Sequence, residues 1–254
     1  MKINALFRKF YQRHTPLVFW LLFFLIYFPV VSFVVVTLVL LGYIFWPFTP
    51  YQISVPQSES THVIVVSHGL KDNADSWAID LKEALKEKNP QAEVIALDWQ
   101  RYADNAFTCS VNGRRIGEIV AKKLMANQHL KRVEVIGHSC GAFVNLGICE
   151  GLKSQTLEGQ SVIVNSVYLD PVSVYGGVFW HYGLNHFGQC ADASNTYFDT
   201  DDNVPGSNQA PKHSQGVDIT ALKSEANFLG KPHTWPIYYY IEQIKNATLS
   251  TSVE

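Results

Sequence analysis

Val133-Glu134-Val135-Ile136-Gly137-His138-Ser139-Cys140-Gly141 is the most informative stretch of this 254-residue chain. Val133, Val135 and Ile136 are β-branched and suit a buried strand. They run into Gly137-x-Ser139-x-Gly141, after which Gly141–Leu152 reads as a helix. A G-x-S-x-G sequence between a strand and a helix makes a sharp turn. It holds its serine in a strained conformation, and the two glycines let neighbouring backbone pass without a side-chain clash. The pentapeptide alone is a common pattern, and its setting gives it weight.

The flanking sequence repeats the strand-then-helix theme. His62–Ser67 is a short β-branched run, 93–98 a second and 132–136 a third, with 161–169 as a fourth. Between them, 78–87 carries Ile79, Leu81 and Leu85 at helical spacing. Residues 111–126 place Ile116, Ile119, Val120 and Leu124 inward and Arg114, Arg115, Lys122 and Lys123 outward. Alternating strands and helices imply a mostly parallel central sheet flanked by helices. Its inner strands are buried on both faces and so read as continuous apolar runs such as Val63-Ile64-Val65-Val66. After Asp170 the pattern weakens: residues 172–217 are rich in Gly, Asn, Asp and aromatics and read as a long loop, and a loop of that length in a compact domain is usually functional. Trp235–Ile244 reads as a closing helix.

A serine hydroxyl is a weak nucleophile that needs a base, and the base needs an orienting carboxylate. On a strand–turn–helix elbow the chain order is Ser, then Asp or Glu, then His. Ser139, Asp170 and His233 satisfy it: Asp170 directly follows the fourth strand, and His233 precedes the last helix. The rivals are also visible. Asp199, Asp201 and Asp202 follow a further possible strand in "YFDTDD", and His213 competes with His233. Two backbone N–H groups must face the developing oxyanion. Cys140, after the serine, and Leu70, in the loop after the first strand, are the candidates. His68 and His138 suggest packing or hydrogen bonding. Tyr175, Phe179, Trp180, Tyr182 and Phe187 suit either core or an acyl-binding wall or lid.

These pieces, "VIVVSHGL", "VIALDW", "GHSCG", "YLDP" and a late His, resemble the lipase family that includes the pancreatic and lipoprotein lipases. The resemblance spans His62 to His233. It implies an α/β-hydrolase fold and carboxylic-ester cleavage, with a lipid or other apolar acyl ester as substrate, and it supports Asp170 as the acid. Two departures are Cys140, where leucine is usual, and the missing C-terminal lipid-binding domain. Fold and triad alone leave open an acyltransferase, thioesterase or peptidase, or a non-catalytic membrane adaptor on a hydrolase scaffold. The chemistry calls for no metal or organic cofactor, and no Cys/His spacing resembles a zinc site.

From Thr15 to Ser58 the chain holds no Asp, Glu, Lys or Arg. Residues 16–48 are almost wholly apolar, ~50 Å as a helix at ~1.5 Å per residue, against a hydrocarbon core of ~30 Å. That is one tilted span, or a re-entrant hairpin broken at Pro29. Lys2, Arg8, Lys9 and Arg13 precede it, and no cation follows until Lys71, so the positive-inside rule puts the N-terminus in the cytoplasm and the rest outside. Trp20, Tyr43, Trp46 and Tyr51 suit the interfaces. The expected organisation is a basic tail (1–15), a transmembrane segment (16–48), a linker (49–61) and a catalytic domain (62–254).

A formal net charge of -2 gives no sign of a nucleic-acid partner. The partners expected are the membrane and the substrate, with oligomeric state left open. Of four cysteines, Cys140 and Cys149 sit nine residues apart on one helix, ~13 Å along its axis and too far to bridge. Cys109 and Cys190, both in expected loops, are then the plausible pair. Asn246-Ala247-Thr248 is a glycosylation sequon.

Overall fold

The computed structural model describes residues 8, 9, 12, 15–46, 53–154 and 161–251, which fall into two compact units, 1–47 and 48–254. Lys2, Arg13, Tyr51 and most of the expected linker's first half lie outside the described residues.

In the first unit, described residues 16–45 form helix α1 (Pro16–Phe45), long and apolar enough to cross a membrane. It passes through Pro29 by way of a π-helical turn at Phe23–Tyr27. Proline has no N–H to donate and its ring crowds the preceding turn, and a wider turn just ahead of it accommodates both effects. The helix therefore continues where a hairpin would have to break. Most of its apolar side chains are exposed, Leu17, Leu25 and Phe33 each by more than 70%, while Phe19 and Ile44 are buried.

In the second unit six described strands form one parallel sheet: β1 (His62–Ser67), β2 (Glu93–Leu97), β3 (Arg132–His138), β4 (Ile163–Leu169), β5 (Ala193–Phe198) and β6 (Gln215–Asp218). Their order is β2-β1-β3-β4-β5-β6, so the chain reverses its direction of travel across the sheet at β1. The crevice beyond the carboxyl ends of β1 and β3 is the switch point where open α/β sheets place their ligands.

Alternate residues of the strands feed two cores. Val63, Val65, Val133 and Val135 pack with helices α3 (Cys109–Leu124) and α4 (Ala142–Ser154) on one face. Ile64, Val66, Ile136 and Val167 pack with α2 (Trp77–Lys88) and the last helix (Trp235–Thr251) on the other. Full burial of each such side chain contributes about 1.5–3 kcal/mol. Helices α3 and α4 cross at Gly117 and Gly147: a Cβ on Gly117 would run into Val144 O, and one on Gly147 into Arg114 O.

Three expectations need correction. Residues 172–217 are not one long loop, since they hold a short helix (Tyr182–His186) and β5, and then lead into β6. The closing helix runs on to Thr251. Cys109 does not pair with Cys190: the disulfides are Cys109–Cys140 and Cys149–Cys190, with Cα separations of 6.4 and 6.0 Å. The inability of Cys140 and Cys149 to bridge each other stands. Each of them takes a partner from another element: Cys140 from the start of α3, and Cys149 from the turn that follows the short Tyr182–His186 helix.

Candidate active site

Ser139 leaves β3 with φ 54°, a left-handed conformation that costs a non-glycine residue about 1–2 kcal/mol. A 3₁₀ turn at Ser139–Gly141 then opens α4. Both glycines of the elbow are required by close approach: a Cβ on Gly137 would meet Gly141 O at 2.6 Å, and one on Gly141 would meet His68 O at 2.6 Å. The loop after β1 lies directly against the serine. A Cβ on Gly69 would stand 3.0 Å from Ser139 Cβ and 3.4 Å from its Oγ. Leu70 follows Gly69 and Cys140 follows Ser139, so the two expected oxyanion donors flank this contact, and the Cys109–Cys140 disulfide ties the second to the start of α3.

His68 fixes that loop. It is fully buried, donates from Nδ1 to Gly69 O (3.0 Å), accepts at Nε2 from the Trp99 N–H (3.2 Å) and stacks on the Trp99 ring. That pattern is the neutral imidazole, in keeping with burial lowering its pKa.

His233 sits in a 3₁₀ turn (Pro232–Thr234) ahead of the last helix. Its Nδ1 lies 2.7 Å from Asp202 Oδ2 and 3.3 Å from Asp170 Oδ2. The sequence order led to Asp170, and the structure brings both Asp170 and Asp202 to the same ring atom. Asp170 is fully buried and leaves β4 with φ 45°, its N–H bound to Tyr197 O. Asp202 also accepts from Ser207 Oγ and from the Val204 N–H. Asp199 and Asp201 turn instead to Lys223, at 2.6 and 2.9 Å. His213 is exposed, and its carbonyl packs against Gly188.

The second histidine of the site went unassigned in the sequence beyond a hydrogen-bonding role. His138, just before the serine, donates from Nε2 to His233 O (2.9 Å), with the two ring centroids 4.7 Å apart. The elbow thus holds the main chain of the late histidine. Burial, and then the charge of His233, pushes His138 down to about 3, so it stays neutral. Burial works against charge on His233 too, but Asp170 and Asp202 outweigh it and push the ring up to about 9. Burial pushes Asp170 up to about 6 although His233 pulls the other way. In Asp202 burial is outweighed by the hydrogen bonds from His233 and Ser207, which hold it below the usual carboxylate range.

Asp170, Asp202 and His233 are also a cluster with potential metal-ligand atoms, all within 4.8 Å of one another. The 2.7 Å separation of Nδ1 and Asp202 Oδ2 is that of two atoms sharing a proton. Two ligands on a tetrahedral zinc at ~2.1 Å would stand ~3.4 Å apart.

Lipases provide the family match: their family model covers residues 51–159. The chain has the α/β-hydrolase fold and resembles the lipases. The match supports a hydrolase and takes in Leu70, Ser139 and Cys140. It stops short of Asp170, Asp202 and His233, which rest on geometry. No curated protein matches the chain. Among solved structures, an alpha/beta-superfamily hydrolase structure from Xanthomonas campestris is 11% identical over 74% of this chain and 96% of its own, with a TM-score of 0.44. A lipase-esterase related protein from Clostridium acetobutylicum is 12% identical over 77% of this chain and 98% of its own, with a TM-score of 0.48.

The aromatic cluster after Asp170 divides. Tyr175, Tyr182 and Phe187 pack on Phe143 in the core, whereas Phe179 and Trp180 are more than half exposed beside Val178. A cavity of about 650 Å³ bounded by Pro56, Glu59, Lys123 and His129 opens at the amino end of β1, the far end of the sheet from Ser139.

Proposed function

We propose that the chain is a membrane-anchored serine hydrolase that cleaves carboxylic esters of lipid or other apolar acyl groups. The observation that carries this reading is the strained Ser139 elbow lying against the Gly69 loop, with His233 hung on the preceding residue. Ser139 Oγ attacks the acyl carbon while His233 Nε2 takes its proton. The N–H groups of Leu70 and Cys140 receive the oxyanion, and His233 returns the proton to the leaving alcohol. Water then repeats the sequence on the acyl-enzyme. Asp170, the acid expected from the lipase resemblance, lies within reach of His233 Nδ1 and would keep that proton on Nδ1, leaving Nε2 to act as base. The exposed apolar residues Val178, Phe179 and Trp180, on the segment that follows Asp170, suit an acyl chain better than a polar substrate.

Residues 16–48 serve as the anchor, with 1–15 in the cytoplasm and 62–254 as the catalytic domain outside. Arg8 and Lys9 on the amino side of α1 favour that orientation, and two disulfides favour an oxidising compartment. Labelling the full chain with a fluorophosphonate and mapping the modified peptide tests the reading. Adduct on the Ser139 peptide is the expected result, and adduct elsewhere, or none, overturns it.

A further inference from the structure

We propose that Asp170 and Asp202 act together as positioning residues for His233, so that the base is held by two carboxylates rather than one. The proposal rests on the reading of Ser139 and His233 as nucleophile and base.

Adjacent parallel strands supply the two acids. Leu169 is in register with Tyr197, and Asp170 comes one residue beyond β4 while Asp202 comes four beyond β5. Each is turned towards His233 by its own device. Asp170 takes a left-handed backbone and anchors its N–H on Tyr197 O, on the strand next door. Asp202 closes a turn, its N–H bound to Asp199 O and its carbonyl to Asn208 Nδ2, while Val204 and Ser207 fix its carboxylate. The two turns are independent, and both end on one nitrogen.

Asp202 is the nearer partner and takes the larger share of the Nδ1–H bond. Asp170 is nonetheless not explained as a strand-end carboxylate with a structural duty. It is fully buried, its Oδ1 has no hydrogen-bond partner, and its side chain meets His233 through Oδ2. A buried carboxyl with an unsatisfied oxygen is costly, so a purely structural role would be better served by an apolar residue. The ionisable groups facing His233 are Asp170 from the β4 end, Asp202 from the β5 end and His138 from the β3 end. His138 is buried and neutral, and Asp72 lies near enough to act on it. Lys223, from the short helix after β6 (Leu222–Glu225), is taken up by Asp199 and Asp201 of the loop after β5. When His233 accepts the serine proton its new charge therefore meets two anions.

A second carboxylate has a signature that a second structural aspartate lacks. Removing either one makes the imidazolium easier to deprotonate, which moves the acid limb of the activity profile to lower pH. The experiment measures kcat/KM for p-nitrophenyl butyrate from pH 5.5 to 10, using the full chain in detergent. It compares wild type, Asp170→Asn, Asp202→Asn, the double variant and Asp201→Asn as control, with thermal melting for each. The expected result is a loss of about 10- to 100-fold in each single variant, with the limb about one pH unit lower. The double variant should lose about 10⁴-fold, the cost of a missing triad carboxylate in a serine protease. Asp201→Asn should stay within about twofold.

The proposal is overturned if one single variant carries the whole loss and the other keeps wild-type rate and an unmoved limb. Where an Asn variant does not melt cooperatively, Ser replaces Asn at that position. Titration of His233 by ¹⁵N NMR in the wild-type chain provides a second measurement: a midpoint near the ordinary ~6.5 overturns the proposal, and one well above it supports it. Ser139→Ala run alongside separates the two levels, because undiminished turnover there sinks the hydrolase reading itself.

Discussion

Ser139 and Asp170 leave neighbouring parallel strands at the same level of the sheet, and both do so in the left-handed conformation, with φ 54° and 45°. Their predecessors His138 and Leu169 are register partners. Two non-glycine residues in this region, side by side at the carboxyl edge, cost about 1–3 kcal/mol each, and such strain persists where the surrounding structure enforces it. The effect is to turn a hydroxyl and a carboxyl off their strands towards the crevice at the switch point.

The first prediction concerns that hydroxyl. Ser139→Ala removes one oxygen and leaves the backbone demand on the residue unchanged, so folding should be nearly unaffected. Hydrolysis of p-nitrophenyl butyrate should fall by at least about 10⁴-fold, and fluorophosphonate labelling should vanish. A melting temperature within about 2 °C of wild type, measured on the same preparation, would show that chemistry and not structure was lost.

The second prediction is a pair of opposed pH trends. His233 is raised to about 9 by Asp170 and Asp202, which outweigh its burial. As a base it works only when neutral, so kcat/KM should climb between pH 7 and 9. Its contribution to stability runs the other way. A group whose folded pKa lies above its unfolded value contributes fully below the unfolded pKa, here ~6.5, and loses that contribution as pH rises through the folded value. Asp170, pushed up to about 6, and Asp202, held low, have largely ionised before this window opens. His233 therefore dominates the site's titration there, and denaturant titrations should show stability falling by about 3 kcal/mol from pH 6.5 to 9.5. Constant stability across that range would mean that the ring is not held as described.

What was legible in the sequence follows from burial. β1 to β4 announced themselves because both faces are covered, so Val63–Val66 and Val133–Ile136 are continuous apolar runs. Gln215–Asp218 offered a single apolar residue, Val217, because β6 lies at the sheet edge and is mostly exposed. The Cys109–Cys140 pairing depends on how closely α3 approaches α4, a property of two glycines thirty residues apart, and the Cys149–Cys190 pairing on where the turn after Tyr182–His186 returns to α4. For the candidate site, the strand-end acids Asp170 and Asp202 could both be seen as rivals. The convergence of their loops on one nitrogen depends on a backbone torsion at Asp170 and a clamp by Ser207, neither of which leaves a pattern in the residues. The bond from His138 to His233 O joins positions 95 residues apart and was equally hidden.

Gly147 supports the third prediction. Helices α3 and α4 meet backbone to backbone there, and a methyl group on Gly147 would be driven into Arg114 O, which cannot swing aside as a side chain could. Ala is the better helix former by ~1 kcal/mol, so on an isolated helix Gly147→Ala would stabilise. Here the overpacking, typically about 1–3 kcal/mol, should win and destabilise the domain. Urea denaturation checks the sign. A gain in stability would show that the helices separate freely.

The last prediction concerns the membrane. Helix α1 is 30 residues long, ~45 Å at ~1.5 Å per residue, which exceeds a ~30 Å hydrocarbon core by an amount that tilt or ends lying in the interfaces would accommodate. Its exposed leucines and phenylalanines would be costly to leave in water, and Arg8 and Lys9 lie on its amino side. The chain should therefore stay in the membrane pellet after an alkaline carbonate wash. Protease added from the outer side should digest the domain while the membrane stays intact. The cysteines give an independent reading of the same topology, because Cys109–Cys140 and Cys149–Cys190 persist only where the compartment is oxidising. Maleimide added to the denatured, unreduced protein should then find no free thiol. Protection of the domain from outer protease, together with four reactive thiols, would place the hydrolase on the cytoplasmic side and reverse the proposed orientation, without bearing on Ser139 and His233.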